Sequence, residues 1–169
     1  MSFTAVSPDN LTENVFDLIG RRWMLITAGD KNSCNTMTAS WGGLGALWGK
    51  NAAFCFIRPQ RFTFGLMEKS EYYTLSFFPG GEYRRELDLC GSKSGRDTDK
   101  IAECGFTVLY DDSGAPYFAE AELVLVCRKM YAGDMDPACF TDPSISGHYK
   151  NNDYHRMYIG QIVRALKKD

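Results

Sequence analysis

The chain has no apolar run long enough to cross a bilayer as a helix, and no apolar segment follows a basic start. A soluble, cytosolic protein is the expectation. It has only two histidines, His148 and His155, and none of its six cysteines stands in a C-x-x-C pair, so no zinc or iron-sulfur pattern is present and no metal is expected. Without a secretion signal the thiols are expected to be reduced, with Cys55 and Cys127 acting as small hydrophobes in apolar strands. Cys34 differs, because it borders a polar loop, yet it too is read as inert. Hydrolytic signatures are missing as well: there is no G-x-S-x-G, no H-E-x-x-H and no carboxylate pair in a recognisable setting. Gly43-Leu44-Gly45-Ala46-Leu47-Trp48 starts like a dinucleotide fingerprint but carries tryptophan where the third glycine belongs, and Gly49-Lys50 has Leu44 where a phosphate-binding loop needs its first glycine. A formal net charge of −2 gives no basic bias toward nucleic acid. No residue is therefore assigned as catalytic.

What is present is a row of hydroxyls. Read as a strand, Thr36-Met37-Thr38-Ala39-Ser40-Trp41-Gly42 puts Thr36, Thr38 and Ser40 on one face and Met37, Ala39 and Trp41 on the other, where they can pack into a core. Downstream, Arg58-Pro59-Gln60-Arg61-Phe62-Thr63 places two permanent cations around a proline-stiffened corner, a setting that suits a phosphate. Ser94-Gly95-Arg96-Asp97 is expected just ahead of a short helix, whose free N–H groups favour an anion. Each feature also has an ordinary reading: a wet strand face, a solvated turn with a surface ion pair, and an N-cap. Their coincidence is what points to a ligand.

The remaining chain reads as strands with few helices. Pro8-Asp9-Asn10 opens a short helix to about Leu18, and strands are expected over Arg22–Ala28, Asn51–Ile57, Tyr72–Phe78, Phe118–Tyr131 and Arg156–Leu166. Gly42, Gly43 and Gly45 break the pattern after the hydroxyl strand. Helices are expected over Phe62–Lys69, Glu82–Leu89 and Asp97–Glu103, and a long loop over Pro137–His148. Antiparallel strands without strand–helix alternation imply a β-barrel with helices laid against it, and 169 residues suit one domain, 1–169.

Four segments together resemble the flavin reductase-like family of the FMN-binding split barrel, which includes flavoredoxins and NAD(P)H:flavin oxidoreductases. They are Asn35–Gly42, Arg58–Thr63, Ser94–Asp97 and the terminal run Tyr154–Ile162. The resemblance runs from about Trp23 to the end and implies a mainly β, antiparallel, Greek-key split barrel with a few peripheral helices. It implies FMN as cofactor, lined by Thr38, Ala39, Ser40 and Trp41, with Arg58, Pro59, Arg61 and Thr63 around its phosphate and ribityl chain and Ser94, Gly95 and Lys100 closing the site. Trp48 and His155 are candidates for the substrate side, each with an ordinary alternative as a core aromatic or an exposed histidine. A homodimer is implied, with Tyr72, Tyr73 and the loop after Met130 as contributors to the contact. Three functions follow from the family: an NADH- or NADPH-dependent FMN reductase, a flavoredoxin-type electron carrier exchanging with a redox protein, and a non-enzymatic ligand-binding barrel. Neither nucleic acid nor a membrane is an expected partner.

Overall fold

The two edges of the main sheet are consecutive in the chain, and that fact determines its shape. The computed structural model describes residues 2–169. In it β1 (Phe3–Val6), β2 (Met24–Gly29), β3 (Cys34–Ala39), β4 (Gly42–Leu47), β5 (Lys50–Ile57), β6 (Tyr72–Phe77), β9 (Leu123–Asp134) and β10 (Arg156–Lys168) form one antiparallel sheet. A small hairpin, β7 (Val108–Tyr110) and β8 (Pro116–Phe118), stands apart. The strand order is β3-β2-β6-β9-β10-β5-β4, with β1 on the far half of β10. Only Ser40 and Trp41 join edge strand β3 to edge strand β4, so the sheet must curl until its edges meet. The result is a split β-barrel.

Alternation along the strands divides the apolar residues into two cores. Met24, Ile26 and Ala28 of β2 point into the barrel, where they meet Met37, Cys55, Ile57, Tyr73, Leu75, Leu125 and Tyr158. Leu25, Val124 and Val126 point outward, where they are covered by Leu87, Cys90, Phe106 and Phe118. That cover comes from α2 (Arg84–Ser92), α3 (Lys100–Cys104) and the β7–β8 hairpin, while α1 (Phe62–Lys69) lies against β2 and β3. Tyr73, expected at a subunit contact, is fully buried inside the barrel, and Tyr72 packs on the outer core. Tyr73 is thus withdrawn from any such contact, while Tyr72 keeps part of its surface exposed.

Several boundaries differ from the sequence reading. The glycine-rich segment after the hydroxyl strand is a strand, because Gly42 lies so close to β5 that a Cβ would come within 2.7 Å of the Phe54 carbonyl oxygen. Its hairpin to β5 turns through Trp48 and Gly49 with φ of +53° and +66°, the left-handed pair of a type I′ turn. The early helix is a 3-10 turn at Pro8–Asn10 and a π-helical turn at Phe16–Arg21. The expected strand from Phe118 is interrupted, since Ala119 and Glu122 donate their N–H groups to Thr107 and Phe77 before β9 begins. The Pro137–His148 loop carries two 3-10 turns, Pro137–Cys139 and Pro143–His148. Among the described residues no helix is long and apolar enough to cross a membrane.

Candidate functional site

The hydroxyl row of β3 is not the uniform wall that its alternation suggests. Thr36 is fully buried, and its Oγ1 lies 2.9 Å from Thr27 Oγ1 and 3.2 Å from the Ile26 carbonyl oxygen. Thr38 Oγ1 donates to the Leu87 carbonyl oxygen at 2.5 Å, fastening β3 to α2. Two of the three hydroxyls are therefore committed within the fold, Thr36 to the neighbouring strand β2 and Thr38 to the helical cover. Only past the end of the strand does the chain open outward: Trp41, expected in the core, is 43% exposed.

Met37 to Trp41, Phe56, Arg58 and His155 line a pocket of about 200 Å³ at this opening. The Trp41 ring stands 5.3 Å from the His155 ring and 5.1 Å from that of His148. His155 is buried, with Nδ1 2.8 Å from the Tyr149 hydroxyl. Burial, aided by the nearby Arg58 charge, lowers its pKa to about 4, so the ring is neutral at pH 7. The pocket wall thus combines three aromatic rings with small and hydroxyl side chains and carries no charge except that of Arg58.

The corner after β5 sends its two arginines in different directions. Arg58 pairs with Asp153, donates to the His148 carbonyl oxygen at 2.9 Å and lies 5.2 Å from the Tyr149 ring centre. Gln60 Nε2 adds a bond to the same Asp153 carboxylate at 2.7 Å. Arg61 turns instead to the C-terminal end of α2, donating to the carbonyl oxygens of Gly91 at 2.8 Å and Cys90 at 3.2 Å. Lys100, in the first turn of α3, meets it there: the residue is only 2% exposed, and Nζ donates to the Cys90 carbonyl oxygen at 3.0 Å. Among the described residues no carboxylate oxygen lies within 4.0 Å of either cation. Burial lowers both, Lys100 to about 8, and each of them also feels a neighbouring arginine, Arg58 on Arg61 and Arg61 on Lys100.

This cluster has a clear electrostatic character. The last carbonyls of a helix carry partial negative charge and so solvate the two cations in part. Carbonyls do not neutralise them, and Lys100 has N–H donors beyond the one it uses. Thr38 ties the cluster to the pocket, because it is bonded to α2 and lies next to Gly91, whose Cβ position is 3.4 Å from Thr38 Cβ. The aromatic pocket and the cations thus flank one short stretch of β3.

The other expected residues have different surroundings. Thr63 is fully buried and accepts a bond from Asn35 Nδ2 at 2.7 Å, so it braces the corner from within. Pro59 is exposed at the turn. Gly95 packs against Phe62, where a Cβ would approach Cδ1 to 2.7 Å, beside a depression of about 550 Å³ bounded by Cys34, Asn35 and Asp99. The helix expected from Asp97 starts only at Lys100, and Asp99 accepts the Ile101 and Ala102 N–H groups at 3.1 Å each. Its own carboxylate occupies the anion seat expected at this helix start, while Ser94 uses its hydroxyl and carbonyl to close the preceding turn. Trp48 is 59% exposed at the β4–β5 hairpin, near Tyr131 and outside the pocket that contains His155. Sequence reasoning missed Tyr149, Asp153 and the Cys90 and Gly91 carbonyls. No local signal marks them, since each acts on a residue of another segment.

Comparison with known proteins adds the family. The flavin reductase like domain matches residues 16–169. Among solved structures, the chain resembles the FMN-binding domain of a flavin reductases-like enzyme from Shewanella baltica, with 16% identity, 98% of this chain and 77% of that one covered, and a TM-score of 0.70. Flavoredoxin from Methanosarcina acetivorans follows at 20% identity, 97% and 77% coverage and a TM-score of 0.68. An NADH:FAD oxidoreductase from Streptomyces globisporus, solved with NAD and FAD fragments, shares 15% identity over 86% of this chain and 74% of its own, with a TM-score of 0.64. None of the curated proteins compared with the chain matches it. Identities this low carry the fold alone.

Proposed function

The chain belongs to the flavin reductase like domain family, and from that premise we propose that it binds FMN and accepts hydride from NADH or NADPH. The observation that carries this reading is the pairing of half-buried Arg61 with buried Lys100, held on helix carbonyls without a carboxylate beside a pocket that includes Trp41, Phe56 and His155. Its donor set suits a dianionic phosphate: the planar fork of Arg61 gives paired bonds to two oxygens, and Lys100 adds a point charge. Ala39, Ser40 and Trp41, with Thr38 behind them, would line the ring, and Arg58 with Pro59 would border the chain between ring and phosphate. Ser94 and Gly95 would close the far side, and Thr63 contributes by holding Asn35 and the corner in place.

Bound FMN would supply the hydride chemistry from its own ring, so the chain itself needs no acid or base. The protein's part is to bind, orient and shield. Backbone N–H groups between Ala39 and Gly42 lie at the barrel's split, where they can favour negative charge near the ring. The neutral His155 and the Trp41 ring wall the pocket without adding a competing charge. A homodimer belongs to the same reading, with exposed Trp48 and Tyr131 offering apolar surface for a second copy.

The test is a visible absorption spectrum after FMN is added and the excess removed, followed by anaerobic NADH and NADPH. Bands that stay and bleach with a nicotinamide establish a reductase. Bands that stay without bleaching favour an electron carrier of the flavoredoxin kind, and failure to retain or bind FMN on titration overturns the reading.

A further inference from the structure

Two thiols unrelated to the ring pocket meet behind the cation pair. Cys90, in the last turn of α2, and Cys104, at the end of α3, are both free, and their Sγ atoms stand 3.7 Å apart. A disulfide needs about 2.05 Å, so the sulfurs must close by about 1.7 Å. That movement is within reach for a five-residue helix joined to α2 by a surface loop. Cys90 is buried and Cys104 is partly exposed, which gives the pair one accessible sulfur and one sheltered partner.

We propose that Cys90 and Cys104 form a peroxide-sensitive dithiol site that closes into an intramolecular disulfide and alters the grip of Arg61 and Lys100. The oxidant is hydrogen peroxide, and the step balances with two electrons. The Cys104 thiolate attacks one peroxide oxygen, the O–O bond breaks, and water leaves once a proton is taken up, giving a sulfenic acid. The Cys90 sulfur then attacks Cys104, the S–O bond breaks, and a second water leaves as the S–S bond forms. Two thiols are oxidised and one peroxide is reduced to two waters.

The link to the cation pair is direct. The carbonyl of Cys90 accepts from both Arg61 and Lys100, and Lys100 belongs to the same short helix as Cys104. Drawing α3 onto α2 presses Lys100 against that carbonyl and takes it away from any bound phosphate. Burial raises both thiols, that of Cys90 to about 12; for Cys104 the contact with the Cys90 sulfur opposes burial, the Glu86 and Glu103 carboxylates add to it, and Lys100 opposes it. The site therefore responds to sustained peroxide and is not a fast scavenger.

Disulfide formation stands independently of the proposed flavin function; its effect on FMN rests on that function. The experiment uses a Cys139→Ser background, which removes the exposed thiol, with hydrogen peroxide as oxidant and peptide mapping without reductant. The expected result is a Cys90–Cys104 link that dithiothreitol reverses and that Cys104→Ser abolishes. If both thiols remain free to alkylate after unfolding while Cys34 is oxidised, the site is overturned. FMN titration of the linked and reduced forms should show at least threefold weaker binding when linked, and no response to peroxide in Cys104→Ser. Equal affinities overturn the coupling. If the reduced protein binds no FMN, the functional reading fails, and the peptide map still decides the disulfide.

Discussion

Arg58 and Arg61 leave the same corner, three residues apart, and end in opposite electrostatic settings. Arg58 has a carboxylate, a carbonyl and an aromatic ring around it, so its charge is already answered by the loop that carries Asp153 and Tyr149. Arg61 is set among carbonyls with Lys100 as its companion, and no acid answers either charge. Position in sequence does not distinguish a cation that holds a loop from one kept for a ligand. Its counter-charge does. A cation without an acid is costly in a buried place, and a site that tolerates this cost is a candidate for binding an anion.

The sharpest test of that contrast is Arg61→Ala. Removing one charged donor from a phosphate costs about 1.5–3 kcal/mol, so FMN affinity should fall roughly 10- to 100-fold on titration by fluorescence quenching. The fold should persist by far-UV circular dichroism, because Arg61 bonds only to carbonyls at a helix end. An affinity within twofold of the unmutated protein would remove Arg61 from the phosphate seat.

Lys100→Met should weaken FMN binding by a similar or smaller factor and change its pH dependence. Burial has lowered the pKa of Lys100 from 10.5 to about 8, so the folded protein without ligand loses this proton before the unfolded chain does. Between about pH 8 and 10.5 the unfolded state holds more protons, and this group's contribution makes stability rise with pH there. Phosphate affinity runs the other way, weakening as the pH passes through 8 and the charge is lost. In Lys100→Met the fall in FMN affinity from pH 7 to 9 should flatten. Melting of the variant without FMN should rise by about 2–4 °C for each kcal/mol regained by removing a buried charge. Lower stability together with unchanged affinity would mean that Lys100 is structural.

This asymmetry also explains how much could be read before the fold was known. The α1 helix at Phe62–Lys69 was legible because proline stiffens the corner and the helix signal is local. The hydroxyl row was legible as a strand, yet which hydroxyls were free was not, since Thr38 is committed by Leu87, forty-nine residues away. β4 was missed because three of its six residues are glycines, chosen for close packing on Phe54 and Met24 and not for strand propensity. The seat for an anion was legible only as a list of cations. Its geometry depends on carbonyls at the end of α2 and on a lysine from α3, and sequence carries no local mark of either.

Arg58→Ala is the counterpart to Arg61→Ala and should do less to affinity. Asp153 already holds Arg58, so its loss should lower FMN affinity by only a fewfold, while Asp153 and the Tyr149 loop lose an anchor. Faster proteolysis within residues 136–155, with affinity mostly retained, is the expected pattern. Equal losses for Arg58→Ala and Arg61→Ala would erase the contrast between the two.

The smallest effect lies with His155, where burial comes first and Arg58 second in lowering its pKa to about 4. The unfolded chain protonates near 6.5, so between pH 6.5 and 4 it binds the extra proton and the folded state does not. The contribution of the neutral ring is complete above pH 6.5 and lost progressively as pH falls toward 4. Urea denaturation across this range should show His155→Gln losing less stability on acidification than the unmutated protein. In Arg58→Ala the nearby positive charge is gone, so the His155 pKa should move up and acid sensitivity should lessen. Ring-proton NMR titration reads that shift directly, and a His155 pKa near 6.5 in the unmutated protein would show that the ring is more open to water than its packing against Trp41 and Tyr149 implies.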